Sequence, residues 1–311
     1  MAALTTPIDM STKTSGVVLP KDVSSEIIAK AQQASAVMSL AAPIALPGPG
    51  LTIPVITGDP EASWVGETEA APIGKSTMTS KFMKSYKLSL IELFSKEFTR
   101  DLPALYDELV ARLPGAMGKK LDETVFCGTA PGTGFDVLSD VAQTVKLTDT
   151  AAGKTYDAFL DADELVGEAD GAVSAYVLCS KGRTAVLKCK DANSRPYFLG
   201  SPMDGTSTMS ILDKPVTLTE RVRKAGAKKV REGEGVPEQL GIAGDWSGAR
   251  YGIVDNVTVT PSTEATVVDA DGNVISLYQR QMVAMMVSFE VGFIVRDESQ
   301  FVRLVGDVPT A

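Results

Sequence analysis

Histidine does not occur in this 311-residue chain. Its absence removes the commonest general base, the commonest zinc ligand and the base of the usual serine or cysteine triad. Cysteine is scarce: Cys127, Cys179 and Cys189 are odd in number and share no CxxC spacing, so neither a disulfide framework nor a zinc site is indicated. They read as reduced, mostly buried thiols, which fits a reducing cytoplasm. No apolar run approaches the roughly 18 residues that cross a bilayer, and no basic leader precedes an apolar segment, so neither a membrane span nor a signal peptide is expected. Positive charge is also short. A formal charge of −9 and a pI near 4.8 argue against tight wrapping of nucleic acid, though not against enclosing it without a strong grip.

What is present starts with one long helical pattern, from Asp101 to Phe126. Asp101 can cap it, Pro103 falls in the first turn, and Asp107 and Glu108 sit near the positive end. Leu102, Leu105, Leu109, Leu113, Met117, Leu121 and Val125 then recur at helical spacing, and Gly128 is a plausible stop. Such a helix is a rod of roughly 40 Å. Pro114-Gly115 predicts a kink within it, with two shorter helices as the alternative.

Ahead of it, Met1–Gly16 shows no period, and Lys21–Leu40 reads as a helix along Val23, Ile27, Ala31, Ala34 and Met38. After a Pro/Gly break, Leu51–Thr57 and Ala62–Val65 are short extended runs, and the polar stretch GETEAAPIGKS (66–76) reads as a loop tip. Thr77–Phe94 returns in extended form, with Phe82, Tyr86, Leu88 and Leu90 on one face and Lys81, Lys87 and Ser89 on the other. Together these make a hairpin-like arm with few apolar residues at its far end. Two strands alone are marginal in water, so the arm must lie on something, and another chain is the expected support.

Beyond the long helix, Gly128–Gly134 (GTAPGTG) lacks the GK[ST] signature of a phosphate loop and reads as a turn. Thr155–Ala169 is a helix whose Asp157, Asp161, Asp163, Glu164 and Glu168 fail the calcium-loop pattern and read as a solvated face. A hydrolase using paired carboxylates such as Asp157, Asp161 and Glu164 is the enzyme alternative, weakened by the missing histidine. Ala172–Leu178 reads as a strand, Lys181–Lys190 as a short helix, and Thr208–Leu218 as extended. Arg221, Arg223, Lys224, Lys228, Lys229 and Arg231 form the one dense basic cluster, either a solvated loop or a contact to DNA or an acidic partner. From Tyr251 the pattern is β, including a run over 274–296 with little to break it. The class is α+β, with no repeat.

Four stretches then carry a resemblance. They are Gly16–Pro20 leading into a helix, and Ala62–Glu67 with Ala71-Pro72 and a long return strand. Asp122-Glu123 closes the long helix before Phe126-Cys-Gly128, and Tyr176–Ser180 precedes a short helix and Lys190–Phe198. The terminal run Val283–Leu304, with Arg296-Asp297 before Phe301, adds to them. In this order they resemble the tailed-phage major capsid protein family, whose shell fold is named after the phage Hong Kong ninety-seven. The resemblance implies an N-terminal arm (1–20), a peripheral domain beginning at 21–50, and an extended loop with its return strand (51–100). The peripheral domain resumes with the long "spine" helix (101–146), an axial domain follows (147–255), and peripheral C-terminal strands close the chain (256–311).

It implies a structural protein without catalysis or cofactor, self-assembling as pentamers and hexamers into an icosahedral virion shell around packaged double-stranded DNA. Assembly in the host bacterial cytoplasm is expected, with a portal, and with a separate scaffolding protein or none; cement proteins are a further possible partner, and no membrane is involved. An encapsulin-like nanocompartment holding cargo enzyme is the alternative. Trp64 and Val65 are the arm's expected apolar anchors on a neighbour, with Glu67, Glu69 and Lys75 as polar contacts; packing of Trp64 within its own chain is the competing reading. One branch of the family links subunits by an isopeptide bond between an extended-loop lysine and an asparagine of an adjacent chain. Here Lys75 is the lysine nearest the matching position, and Ser276–Met286, where the asparagine belongs, has none, Gln281 being closest. Assembled subunits are therefore expected to separate fully on denaturing electrophoresis, and a ladder of linked oligomers would refute that expectation.

Overall fold

The computed structural model describes residues 35–58, 62–66, 70, 73, 77–95, 102–148, 154–190, 210–227, 235–254, 258–268 and 272–309. The entry segment Gly16–Pro20, most of the helix expected over 21–40, the cap at Asp101 and the stretch 191–198 lie outside them.

A single strand, β14 (Met282–Val295), organises the first half of the fold. Val287, Phe289, Val291, Phe293, Ile294 and Val295 are all buried, as expected of a strand covered on both faces. Strand β4 (Tyr86–Ser95) runs antiparallel along one edge of β14, from Met282↔Ser95 to Val291↔Tyr86. On the other edge lie β10 (Ala249–Ile253) and β11 (Thr258–Ser262), both antiparallel, and β1 (Ala42–Ala45) adds parallel to β10. The long helix, α2 (Leu102–Cys127), is one element and passes through Pro114-Gly115, so the two-helix alternative falls away. Met117, Leu121 and Val125, each four residues apart, bury one stripe of it, and Phe126 joins them. The helix stops at Gly128, where a Cβ would meet Thr124 Cα at 2.9 Å.

A second sheet has the order β5 (Thr144–Lys146), β15 (Phe301–Val305), β9 (Gln239–Gly244), β6 (Ala175–Leu178), β8 (Lys214–Leu218), β7 (Ser210–Ile211). Helices α3 (Lys154–Glu168) and α4 (Ser180–Leu187) accompany it. A ladder of edge-on rings joins the two halves: Phe126 meets Trp246 at 6.1 Å, and Trp246 meets Phe301 at 5.3 Å. One departure from the sequence reading concerns the last quarter. The run over 274–296 is broken after β13 (Val274–Ser276) by one helical turn, α5 (Leu277–Arg280), which buries Leu277 and ends on Gln281 at φ 51°. Of the later strands, β14 belongs to the first sheet and β15 to the second.

The spine is tied to α1 (Ala36–Leu40) by a buried carboxylate. Asp122 accepts from Ser35 Oγ at 2.6 Å, Ala36 N at 2.9 Å and Val37 N at 3.1 Å, satisfying donors that a helix start leaves unpaired. Burial pushes the Asp122 carboxyl above the ordinary aspartate range, against these donations and the Arg221 charge. Asp122→Ala leaves the donors buried and unpaired, and is expected to cost about 3 kcal/mol of unfolding free energy. Urea titration checks this, and an unchanged midpoint would refute the cap.

Candidate functional site

The arm is a ribbon of β2 (Leu51–Gly58) and β3 (Thr77–Met83), antiparallel from Leu51↔Met83 to Gly58↔Thr77. Among the described residues its only ladder is this pair. Residues Ala62–Gly66, between the strands, form no strand of their own. What holds the ribbon is its root. Met83 is fully buried beside Leu46 and Ile294, over a hollow in the first sheet. The hollow exists because Gly252 and Gly292 face each other across β10 and β14. A Cβ on Gly252 would lie 2.8 Å from Met83 Sδ, and one on Gly292 would lie 2.8 Å from Lys84 O and 3.0 Å from Met83 Cγ.

Polar contacts reinforce the root. Lys81 Nζ reaches Asp136 Oδ2 at 3.3 Å and Val295 O at 3.0 Å, and the same Asp136 oxygen accepts from Val295 N at 3.1 Å. The Gly128–Gly134 turn is part of this fastening. Its Gly134 O accepts from Lys84 N at 2.9 Å and its Thr133 O from Tyr86 Oη at 2.7 Å, while Gly134 itself has φ +80°. Among the described residues the turn therefore has a structural task. The break at Lys84-Ser85 moves the chain from one sheet to the other and resets the faces expected for 77–94. In β3, Lys81 and Met83 meet the body while Phe82 is exposed; in β4, Tyr86 and Leu88 pack.

Away from the root, large apolar side chains are exposed. Met83 is 0% exposed, Phe82 47%, Met78 66%, Ile73 90% and Trp64 106%. Val65 is exposed as well. The expectation that Trp64 packs within its own chain is thus overturned: the indole stands in water. Glu67, Glu69 and Lys75 lie outside the described residues.

The basic cluster is only partly free. Arg223 Nε donates to Glu238 Oε1 at 2.7 Å, and Lys181 grips the other oxygen of the same buried carboxylate. Burial works to raise the Glu238 carboxyl, but Lys181 and Arg223 together outweigh it and hold it below the ordinary glutamate range. Arg221 and Lys224 are exposed, and Lys228, Lys229 and Arg231 lie outside the described residues. Nearby, burial pushes the Cys127 thiol up to about 11, far from the thiolate a nucleophile needs. On α3, Asp157, Asp161, Asp163, Glu164 and Glu168 are all exposed while Ala158, Phe159, Ala162 and Val166 are buried, so the carboxylates form a solvated face.

The glycine pair was the root signal that sequence reasoning passed over. An isolated glycine in a strand marks a close approach, and Gly252 and Gly292 each stand alone in an apolar strand.

Comparison with known proteins bears on the whole arrangement. The model of the phage capsid family matches residues 15–306. A probable major capsid protein, gp17, of Mycobacterium phage L5 is 28% identical over 302 residues, covering 92% of this chain and 88% of its own. The major capsid protein of Staphylococcus phage 80alpha is 22% identical over 252 residues, covering 79% and 72%. Among solved structures, a chain of Mycobacterium phage Bobi superposes with a TM-score of 0.69 at 21% identity, covering 88% of this chain and 91% of that one. The capsid of an empty GTA particle computed with C5 symmetry gives a TM-score of 0.69 at 16% identity, covering 88% and 90%. The α+β shell fold expected from the sequence is the one these neighbours share.

Gly292→Val fills the hollow and is expected to displace Met83, so that protease cuts within 51–83 rise severalfold while the rest of the chain stays protected. Unchanged cutting would refute the seat.

Proposed function

The chain belongs to the phage capsid family, and we propose that its subunits gather as pentamers and hexamers into a closed icosahedral shell around packaged double-stranded DNA. The observation that carries this reading is the exposure of the arm: seated at Met83 and ending with Trp64 wholly in water. A surface of that kind is finished by a neighbour. Trp64 and Val65 supply apolar contact, and Glu67, Glu69 and Lys75 lie close to them in sequence to serve as polar partners.

In the same reading the half built on β14 and α2 is the peripheral domain, and the half built on β6, β8 and β9 is the axial domain that gathers at the symmetry axes. The strand β15 then ties the end of the chain into the axial half. Closed symmetry lets many modest contacts act together. An ordinary interface buries about 1,600 Å², and at about 25 cal/mol per Å² of apolar surface the gross gain is tens of kcal/mol before association costs. Strength is therefore spread over the shell, and no single bond has to be strong.

The net charge of −9 suits a container whose DNA must slide and pack densely. Arg221 and Lys224 remain candidates for the lumen or a partner chain, together with Lys228, Lys229 and Arg231; Arg223 is engaged by Glu238 and is the weakest of the six. Assembly in the host cytoplasm, a portal at one vertex, and separate scaffolding or cement proteins complete the proposal. No catalytic role is assigned. The named relatives are phage capsid proteins, which favours DNA over cargo enzyme as the contents. Nucleic acid of uniform length in purified particles supports this, and particles loaded with protein alone would overturn it.

Trp64→Ala is expected to lower particle yield severalfold while leaving the unfolding midpoint of the free subunit unchanged. Equal loss of both would count against the inter-subunit role.

A further inference from the structure

Two exposed surfaces of opposite charge flank the second sheet. Along α3, Asp157, Asp161, Glu164 and Glu168 recur at helical spacing, with Asp163 beside them and Leu160 exposed in their midst. The one cation of this helix, Lys154, is its first residue. Among the described residues none of the five carboxylates is in an ion pair. Beneath them Tyr176 is fully buried, and among the described residues its hydroxyl has no hydrogen-bond partner. Burial first, and the Asp163 charge second, push that hydroxyl well above the ordinary tyrosine range. The basic surface is at the end of α2. There Cys127 Sγ donates to Arg221 O at 3.1 Å, and Gln239 Nε2 donates to Phe126 O at 3.0 Å and Val222 O at 3.1 Å. Arg221 and Lys224 are exposed, and among the described residues neither is in an ion pair.

The two surfaces stand on opposite faces of the sheet. Tyr176 lies opposite Ala243 in the ladder and Phe301 opposite Gly244, the next residue, so their rings leave on different faces. Tyr176 meets Phe159 of α3 at 5.3 Å, whereas Phe301 reaches the end of α2 through Trp246. With the sheet between them, the acidic and basic surfaces of one chain do not meet.

We propose that the acidic face of α3 docks on the Arg221 and Lys224 surface of the next copy around a ring. The inference rests on the reading that subunits gather as pentamers and hexamers, and it names the two surfaces that join there. A head-to-tail contact uses two different patches of one body and repeats until the rotation closes. These patches lie on separate sides, and their charges are complementary. Leu160 adds an apolar contact within the acidic face. DNA would suit Arg221 and Lys224 but would be repelled by α3. A second copy of the chain satisfies both.

The test reverses each side separately in the intact chain. Asp161→Lys with Glu164→Lys, and independently Arg221→Glu with Lys224→Glu, is each expected to raise the subunit concentration needed for ring formation by roughly tenfold. The chain carrying all four changes is expected to recover. All four side chains are exposed, so circular dichroism of each variant is expected to match the wild type. Should the Arg221 change unfold the subunit, the α3 reversal decides alone. An equal mixture of the two reversed chains is expected to give six-membered rings and no five-membered ones in native mass spectrometry, because strict alternation cannot close on an odd number.

Normal ring formation by the α3-reversed chain would overturn the inference, as would five-membered rings from the mixture. A fourfold variant that folds but does not recover would overturn it too. Normal rings with loss of DNA from the particles, on reversing Arg221 and Lys224, would make nucleic acid the occupant and also overturn it. A wild-type chain that forms neither five- nor six-membered rings would sink the shell reading on which the inference stands.

Discussion

Among the described residues, β2 and β3 are hydrogen-bonded only to each other, and a two-stranded ribbon is marginal by itself; that constraint governs how this part of the chain is built. The ribbon β2–β3 keeps its order by leaning on the body at one end. Met83 is the fully buried side chain there. Burying such a side chain stabilises by about 1.5–3 kcal/mol, and the Lys81–Asp136–Val295 contacts fix its direction. Nothing comparable exists at the other end among the described residues. Trp64 forfeits at least as much as Met83 gains, for as long as it stands in water. The ribbon is thus a lever with a rigid fulcrum and an unsatisfied tip.

Several parts of the body meet at that fulcrum. Gly252 and Gly292 leave a hollow where two side chains would normally meet, a local sacrifice of sheet packing that creates the seat. The turn after the spine helix closes over the same region through Thr133 and Gly134. On its far side the spine is held by Asp122 against α1 and by Phe126 against Trp246. Motion at the root would therefore have to disturb two sheets and a helix together.

How much of this was legible in the sequence depends on the range of each interaction. Met117, Leu121 and Val125 announce a buried helix stripe because their spacing is local, and the acidic face of α3 is as plain. The arm's outline was readable from its turn residues and alternation. Which face of β3 meets the body was not: alternation separates Phe82 from Met83 but cannot say which one finds a seat. Asp122 caps a helix start 86 residues earlier, a partner that no pattern identifies. Arg223 looks like one charge in a run of six until the fold brings Glu238 against it. The turn at Leu277–Arg280 was hidden because its residues suit a strand equally well; in the fold it buries Leu277.

The central claim is that the arm is completed by another copy of the same chain. A reconstruction of the assembled particle at side-chain resolution tests it most directly. The account expects the Trp64 ring within about 4.5 Å of apolar side chains from a neighbouring subunit. A ring still surrounded by solvent in the closed shell, or folded against its own chain, would contradict it.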